Sequence, residues 1–245
     1  MTVVVLLLRH SPGVTVRVQL LLVTALLAAP RLAGAHDFWL EPAGDGLALR
    51  YGHHGGELLA IDRAKVKAVR CLEQGGPRDL LAAAAFTPTE VRFPGRCPVA
   101  GAFFDGGFYS LTPDGEVNRP KSQVPDAVKS WASRQFAKWV DARQPGAPAA
   151  VLGEELELVA VSELTRARQG DKITFRLLSR GRPVPGAVVA IDHKPLGETD
   201  SAGEVRLKLR SAALETISAT LRRKLASPEA DAEVLEASLS FEVAR

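Results

Sequence analysis

The sequence predicts a mainly β protein of two β-sandwich-like domains, with one amphipathic helix in the N-terminal domain. Two observations favour the strands. Short segments of alternating apolar and polar residues recur along the chain, and they lie on both sides of a linker rich in proline, glycine and alanine, residues 144–150. The helix is predicted by a different spacing within 124–142. We therefore expect a signal peptide over 1–35, an N-terminal β-rich domain over 36–146 and a C-terminal sandwich over 152–245.

Residues 1–35 have the features of a signal peptide. Arg9 and Arg17 supply positive charge, residues 18–29 are apolar, and Ala33-Gly34-Ala35 is a small-residue cleavage site. The apolar segment has about 12 residues, whereas a membrane-spanning helix needs roughly 20. We expect cleavage after Ala35 and a periplasmic mature protein, with an uncleaved membrane anchor as the alternative.

The N-terminal domain contains four segments with the alternation of strands, followed by the helical pattern. The strand segments are residues 46–51, 65–70, 89–93 and 106–111. From Val124 to Ala142, apolar residues recur at the i, i+3, i+4 spacing of an amphipathic helix, with Pro125 in its first turn. We expect this helix to pack its tryptophans, Trp131 and Trp139, on a sheet.

The C-terminal domain is predicted to be all strand. A series of short strands in about 90 residues, separated by glycine- and proline-rich turns, is typical of a β-sandwich. The predicted strands are residues 155–161, 171–178, 187–191, 204–209, 216–221 and 235–243.

The two cysteines, Cys71 and Cys97, both follow the signal peptide. An even number of cysteines in an exported chain predicts a disulfide. A pair of metal-binding thiolates is the alternative, although the spacing is far from the C-x-x-C of thiolate metal sites.

The charge balance argues against a nucleic-acid partner. The leader contains three arginines and no acidic residue, so its removal lowers Lys+Arg from 31 to 28, against 28 Asp+Glu. A near-neutral chain lacks the basic face that nucleic acids require.

The mature start offers a metal-chelating residue. If cleavage follows Ala35, His36 presents a free α-amine and an imidazole to one divalent ion. His53 and His54 lie at the end of a predicted strand, where alternation directs only one of them to a given face. We predict a metal site of His36 with His53 or His54. Water or a carboxylate would complete the site, the candidates being Asp37, Glu41 and Asp105.

The donor types narrow the choice of metal. Nitrogen and oxygen ligands suit nickel, cobalt, copper(II) and zinc, and the single methionine, Met1, is lost with the leader, which excludes a methionine-type copper(I) site. The remaining histidine of the mature chain, His193, is interpreted as a surface turn residue.

Several segments together resemble a known family. The opening His-Asp-Phe-Trp-Leu-Glu-Pro, residues 36–42, the segments 107–110 and 112–115, and Lys138 within 135–138 are similar to a bacterial family of exported proteins. That family is labelled a domain of unknown function, or a nickel-uptake transporter family. The later Gly-x-Pro-Val-Pro-Gly and Thr-Asp-x-x-Gly motifs resemble an Ig-like or carboxypeptidase-regulatory-like sandwich. The resemblance implies a periplasmic accessory protein for nickel or cobalt uptake, with a membrane metal-uptake transporter as partner.

The sequence contains no motif of a common enzyme class. It lacks Gly-x-Ser-x-Gly, His-Glu-x-x-His, a P-loop and a dinucleotide fingerprint. We therefore expect a metal-binding protein rather than an enzyme. The alternatives are a metal-free adhesion or carbohydrate-binding module, and a copper oxidase that uses an N-terminal histidine chelate.

Overall fold

The computed structural model describes residues 36–73 and 75–244, and in these ranges the chain forms seventeen β-strands and three short 3-10 helices. The first eight strands are β1 (Asp37–Ala43), β2 (Gly46–Gly52), β3 (Val66–Glu73), β4 (Gly76–Asp79), β5 (Ala85–Phe86), β6 (Glu90–Phe93), β7 (Val99–Thr112) and β8 (Gly115–Val117). The 3-10 helices are Arg63–Lys65, Leu81–Ala83 and Lys121–Gln123.

The remaining nine strands begin with β9, which is the last strand before the linker 144–150. The strands are β9 (Lys129–Val140), β10 (Glu157–Ala160), β11 (Lys172–Ser179), β12 (Arg182–Pro183), β13 (Val188–Ile191), β14 (Lys194–Glu198), β15 (Glu204–Lys208), β16 (Leu214–Lys224) and β17 (Ala232–Glu242). The mainly β class that the sequence predicts is confirmed.

These strands form one large sheet and two small ones. The central sheet has nine strands in the order β14-β13-β16-β17-β9-β7-β3-β4, with β8 paired to β7. The N-terminal sheet is β1-β2-β6-β5, and the C-terminal sheet is β10-β11-β12 with β15 paired to β11.

The two small sheets cover opposite faces of the central sheet. Ala137 and Trp139 belong to the core beneath the N-terminal sheet, whereas Phe136 and Val140 belong to the core beneath the C-terminal sheet. Because neighbouring residues of a strand point to opposite faces, these assignments place the two cores on either side of β9. The result is two sandwiches that share one sheet.

The predicted amphipathic helix is wrong, because residues 129–140 form β9. This strand pairs antiparallel with β7 and parallel with β17, and its second half, from Gln135 to Val140, is buried throughout. A strand covered on both faces carries apolar residues at odd and even positions, which produced a spacing that matches a helix. Trp131 and Trp139 are therefore part of the central sheet rather than packed on it from a helix, and Trp139 is buried in the core.

The predicted domain boundary lies beside a shared sheet. Strand β9 precedes the linker 144–150 and β17 follows it, yet the two pair in register from Trp131–Ala232 to Trp139–Ser240. The division into 36–146 and 152–245 stays a prediction, but the two segments contribute strands to the same central sheet.

The predicted disulfide is present. Cys71 of β3 and Cys97, just before β7, are bonded, with their Cα atoms 5.7 Å apart. Both are buried in the core beneath the N-terminal sheet. The bond fixes the start of β7 against the strand that pairs with it.

Two expectations concern the start of the chain. The signal peptide, residues 1–35, lies outside the described residues. Residues 36–73 and 75–244 include no helix that is long and apolar enough to cross a membrane.

Two turns bring distant parts of the chain to the start of β1. At the end of β2, Gly52 has φ 138°, and a Cβ there would lie 2.3 Å from the carbonyl oxygen of Glu57. Only glycine therefore lets the following loop fold back, where the Leu59 amide donates to the Tyr51 carbonyl. The second turn joins β13 to β14 between Ile191 and Lys194.

Candidate metal centre

The four histidines of the described chain gather where β1 begins, β2 ends and β13 turns into β14. The ring centroids of His36 and His53 are 5.2 Å apart, and those of His53 and His193 are 5.5 Å apart. Nδ1 of His53 lies 3.4 Å from Nε2 of His193. Residues separated by 140 positions in sequence thus meet at hydrogen-bond range.

Asp37 supplies a carboxylate to this group. Its Oδ2 lies 2.9 Å from Nε2 of His193 and accepts a hydrogen bond from the backbone N–H of His54 at 3.4 Å. Asp37 is only 6% exposed, so the carboxylate sits at the inner side of the cluster. Of the three carboxylates considered from sequence, it is the one that the structure brings to the histidines.

The other two carboxylates are engaged elsewhere. Glu41 accepts hydrogen bonds from the indole of Trp39 and the guanidinium of Arg50. Asp105 accepts the amide N–H of Gly107 at the bulge in β7. Neither makes a contact with a histidine of the cluster in the described structure.

His53 and His54 diverge. The His53 ring faces His36 and His193, whereas the His54 ring packs edge-on against Trp39, at 5.3 Å, with its Nδ1 3.7 Å from Asp192. Of the two residues, His53 is therefore the better candidate to share a site with His36.

His193 is an exposed turn residue, as the sequence predicts. Its ring also contacts Asp37 and His53, which the sequence interpretation did not anticipate. Asp192 and His193 are the two central residues of a hairpin and both have positive φ, 49° and 58°. Aspartate and histidine are among the non-glycine residues that adopt positive φ most often, although glycine would be less strained there.

The electrostatics of the cluster follow from burial. Burial lowers the pKa of His36, and the neighbouring His53 and His193 lower it further. Burial also raises the pKa of Asp37, opposed mainly by the nearby His193. An imidazole that favours its neutral form is ready to act as a metal ligand, because coordination requires the unprotonated nitrogen.

A buried polar pair lies beneath His36. Gln135 of β9 donates through Nε2 to the His36 carbonyl at 3.0 Å. Glu236 stands opposite Gln135 in the parallel pairing of β17 with β9. Burial, with a smaller contribution from Asp37, raises the pKa of Glu236 to about 8. Sequence reasoning did not identify either residue, since both lie within strands and meet His36 only through the fold.

The donors suit a divalent transition metal in type, and two of their separations match those of ligands on one ion. Ligands held at about 2.0–2.1 Å from one ion stand about 2.9–3.4 Å from each other. The separations from His193 Nε2 to Asp37 and to His53 are 2.9 and 3.4 Å. As they stand, however, no three histidine, cysteine, aspartate or glutamate side chains within 36–73 and 75–244 are arranged to hold a metal. One more donor, the α-amine of His36, arises only on cleavage after Ala35.

Comparisons with known proteins identify a family without a function. A family model described as "Domain of unknown function (DUF4198)" matches residues 33–222. A search of curated proteins finds no match to the sequence.

Three solved structures show weak likeness. The N-terminal four Ig domains of Dscam1 isoform 9.44 have 10% identity and a TM-score of 0.23, with 72% of this chain and 36% of that chain covered. A second Dscam structure has 10% identity and a TM-score of 0.24, with 72% and 37% covered. This chain therefore spans about a third of their length. The D0-D1 domain of Intimin has 14% identity and a TM-score of 0.20, with 84% and 97% covered. At TM-scores below 0.5 these likenesses support no inference about function.

Proposed function

The chain belongs to the family described as a domain of unknown function, DUF4198, and we propose that it is a periplasmic protein that binds a divalent transition metal for uptake. In this proposal the metal is nickel or cobalt, and the protein serves a membrane metal-uptake transporter. The ligands would be His36, through its imidazole and its freed α-amine, His53, His193 and Asp37. The protein is not an enzyme.

The observation that carries the proposal is the convergence of donor groups at His193. Its Nε2 lies 2.9 Å from Oδ2 of the buried Asp37 and 3.4 Å from Nδ1 of His53, and the His36 and His53 ring centroids are 5.2 Å apart. Imidazole nitrogens and a carboxylate are donor types that suit a divalent transition metal.

The donor chemistry supports a divalent transition metal, and the resemblance of the opening motif supports nickel or cobalt. Imidazole and amine nitrogens with one carboxylate suit nickel, cobalt, copper(II) and zinc alike. Copper(II) would bind most tightly in solution whatever ion the cell delivers, because affinity follows the Irving–Williams order. Metal identity therefore has to be read from protein loaded in its own compartment.

The first experiment measures the metal content of protein purified from the periplasm with its native start. We expect about one nickel or cobalt ion per chain, and an intact mass that begins at His36. A protein that starts elsewhere would lack the terminal chelate. Metal-free protein with the His36 start, which also fails to bind added Ni(II), would favour the adhesion or carbohydrate-binding alternative.

A second experiment tests the chelate. Mature protein that starts at His36 is compared by calorimetry with protein that keeps Ala35, so that only the position of the amine changes. The Ala35 start should weaken Ni(II) binding, because the amine and the imidazole no longer belong to one residue. His53→Ala should also weaken binding, and His54→Ala, the matched control on the adjacent residue, should have a smaller effect. Equal affinities for both starts would contradict the terminal site.

The copper-oxidase alternative predicts a different result. Protein loaded with Cu(II) would then oxidise a polysaccharide in the presence of a reductant and oxygen. The proposed binding protein would take up copper(II) in solution and release no oxidised sugar.

A further inference from the structure

Strand β1 lies at the edge of the N-terminal sheet, so β2 is its one strand partner there. Side chains of the central sheet take up its outer carbonyls instead. Gln135 donates to the His36 carbonyl at 3.0 Å, and Ser238 Oγ donates to the Phe38 carbonyl at 2.6 Å. The start of β1 is thus attached to the central sheet by two side-chain hydrogen bonds.

The Gln135 side chain also interacts with Glu236, so its amide oxygen is the part that is left without a partner. The residue is 7% exposed, and its Oε1 is buried with no hydrogen-bond partner. It is the single side-chain atom of that kind in the described part of the chain. A buried amide oxygen without a donor is unfavourable, so such an atom calls for a partner that the molecule acquires.

The geometry of an extended chain indicates which partner is available. His36 directly precedes β1. The backbone nitrogen and carbonyl of one extended residue point to the same side, so we expect the His36 nitrogen on the side from which Gln135 reaches the His36 carbonyl. Cleavage after Ala35 would convert this nitrogen from an amide into an amine. The amine has additional hydrogens and the freedom to rotate about its bond to Cα.

We infer that Gln135 is a positioning residue that binds both backbone groups of the mature N-terminal residue. Its Nε2 donates to the His36 carbonyl, and its Oε1 accepts a hydrogen bond from the freed α-amine of His36. This inference rests on the proposed function. Hydrogen bonding through one amine hydrogen leaves the nitrogen lone pair free for a metal and fixes it relative to the imidazole of the same residue. Groups that orient metal ligands in this way affect affinity strongly, although they do not touch the ion.

The test uses four metal-free proteins, which start at His36 or at Ala35 and carry Gln135 or Gln135→Met. With chelator present, the His36 start should melt about 3 °C higher than the Ala35 start when Gln135 is intact. That difference should disappear with Gln135→Met. An exposed glutamine provides the matched control, since Gln144→Met should keep the difference. If the two starts differ equally with and without Gln135, the inference is overturned.

Nickel binding gives a second readout. In the His36-start protein, Gln135→Met should weaken Ni(II) binding about 10- to 100-fold. The same substitution should have little effect in the Ala35-start protein. An unchanged affinity in the His36-start variant would overturn the inference but leave the metal site intact. If no protein binds Ni(II), the proposed function fails, and the melting comparison still decides the role of Gln135.

A measurement on the unsubstituted chain covers the case in which Gln135→Met does not fold. The side-chain amide signals of Gln135 should shift, and exchange more slowly with solvent, in the His36-start protein than in the Ala35-start protein. Identical signals in the two proteins would overturn the inference.

Discussion

Lys138 should be one of the residues on which stability depends most. Its ammonium lies 2.9 Å from the Glu157 carboxylate and also donates to the Ala150 carbonyl, and the two charged side chains are 3% and 2% exposed. Glu157 accepts two further hydrogen bonds, from the amides of Leu152 and Gly153. This group joins β9 to β10 and to the segment between them.

Lys138→Met removes the ammonium and leaves the carboxylate buried. Removing one partner of a buried ion pair costs about 3–5 kcal/mol. The two backbone amides continue to hold the Glu157 carboxylate, so we expect the lower end, about 3 kcal/mol. For a domain of this size, that corresponds to a fall in the melting temperature of roughly 6–12 °C.

Urea and thermal unfolding of metal-free protein measure this loss. Lys129→Met is the matched control, since Lys129 begins the same strand but is exposed, and it should change stability by less than about 0.5 kcal/mol. Adding Glu157→Gln to Lys138→Met should recover part of the loss, because the uncompensated charge is then gone. A cost for Lys138→Met below about 1 kcal/mol would refute the view that the buried pair holds the two segments together.

Three other predictions concern pH, the disulfide and the linker. Glu236 has a folded-state pKa of about 8 against an ordinary value of 4.5, so the folded chain retains a proton that the unfolded chain loses. Between pH 4.5 and about 8, the free energy of unfolding of the parent protein, relative to that of Glu236→Gln, should therefore fall by roughly 1.4 kcal/mol per pH unit, and it should level off above about pH 8. If the stabilities of the two proteins changed in parallel with pH, a raised pKa of Glu236 would be excluded. A thiol assay on denatured, unreduced protein should detect no free thiol at Cys71 or Cys97, and two thiols would contradict the bond. Proteolysis within 144–150 should leave both fragments associated in gel filtration, because β9 and β17 remain paired, whereas release of a separate C-terminal fragment would support independent domains.

The sequence predicted strands well where one face of a strand meets solvent. Segments such as 204–209 alternate because the C-terminal sheet buries one side and exposes the other, and β15 shows that burial pattern. The helix predicted within residues 124–142 was wrong for the opposite reason. Both faces of β9 are covered, so its apolar positions reflect two cores rather than one period.

The candidate site was predicted where its residues are close in sequence to a recognisable feature. His36 was found from the cleavage site and His53 from the strand end. The contacts of His193 were not, because its partner Asp37 is far away in the sequence and the two halves meet only in the folded chain, through contacts such as the pairing of β17 with β9. Gln135 and Glu236 were missed for the same physical reason.

The substitution His193→Gly tests the central claim most directly. Glycine suits the φ of 58° at this position and removes the imidazole. Thermal unfolding of metal-free His193→Gly first shows that the variant folds, since the relief of backbone strain is opposed by loss of the contact with the buried Asp37 carboxylate. Its Ni(II) affinity, measured by calorimetry on protein that starts at His36, should fall at least about tenfold. Unchanged Ni(II) affinity in a stable variant would contradict the proposed metal centre.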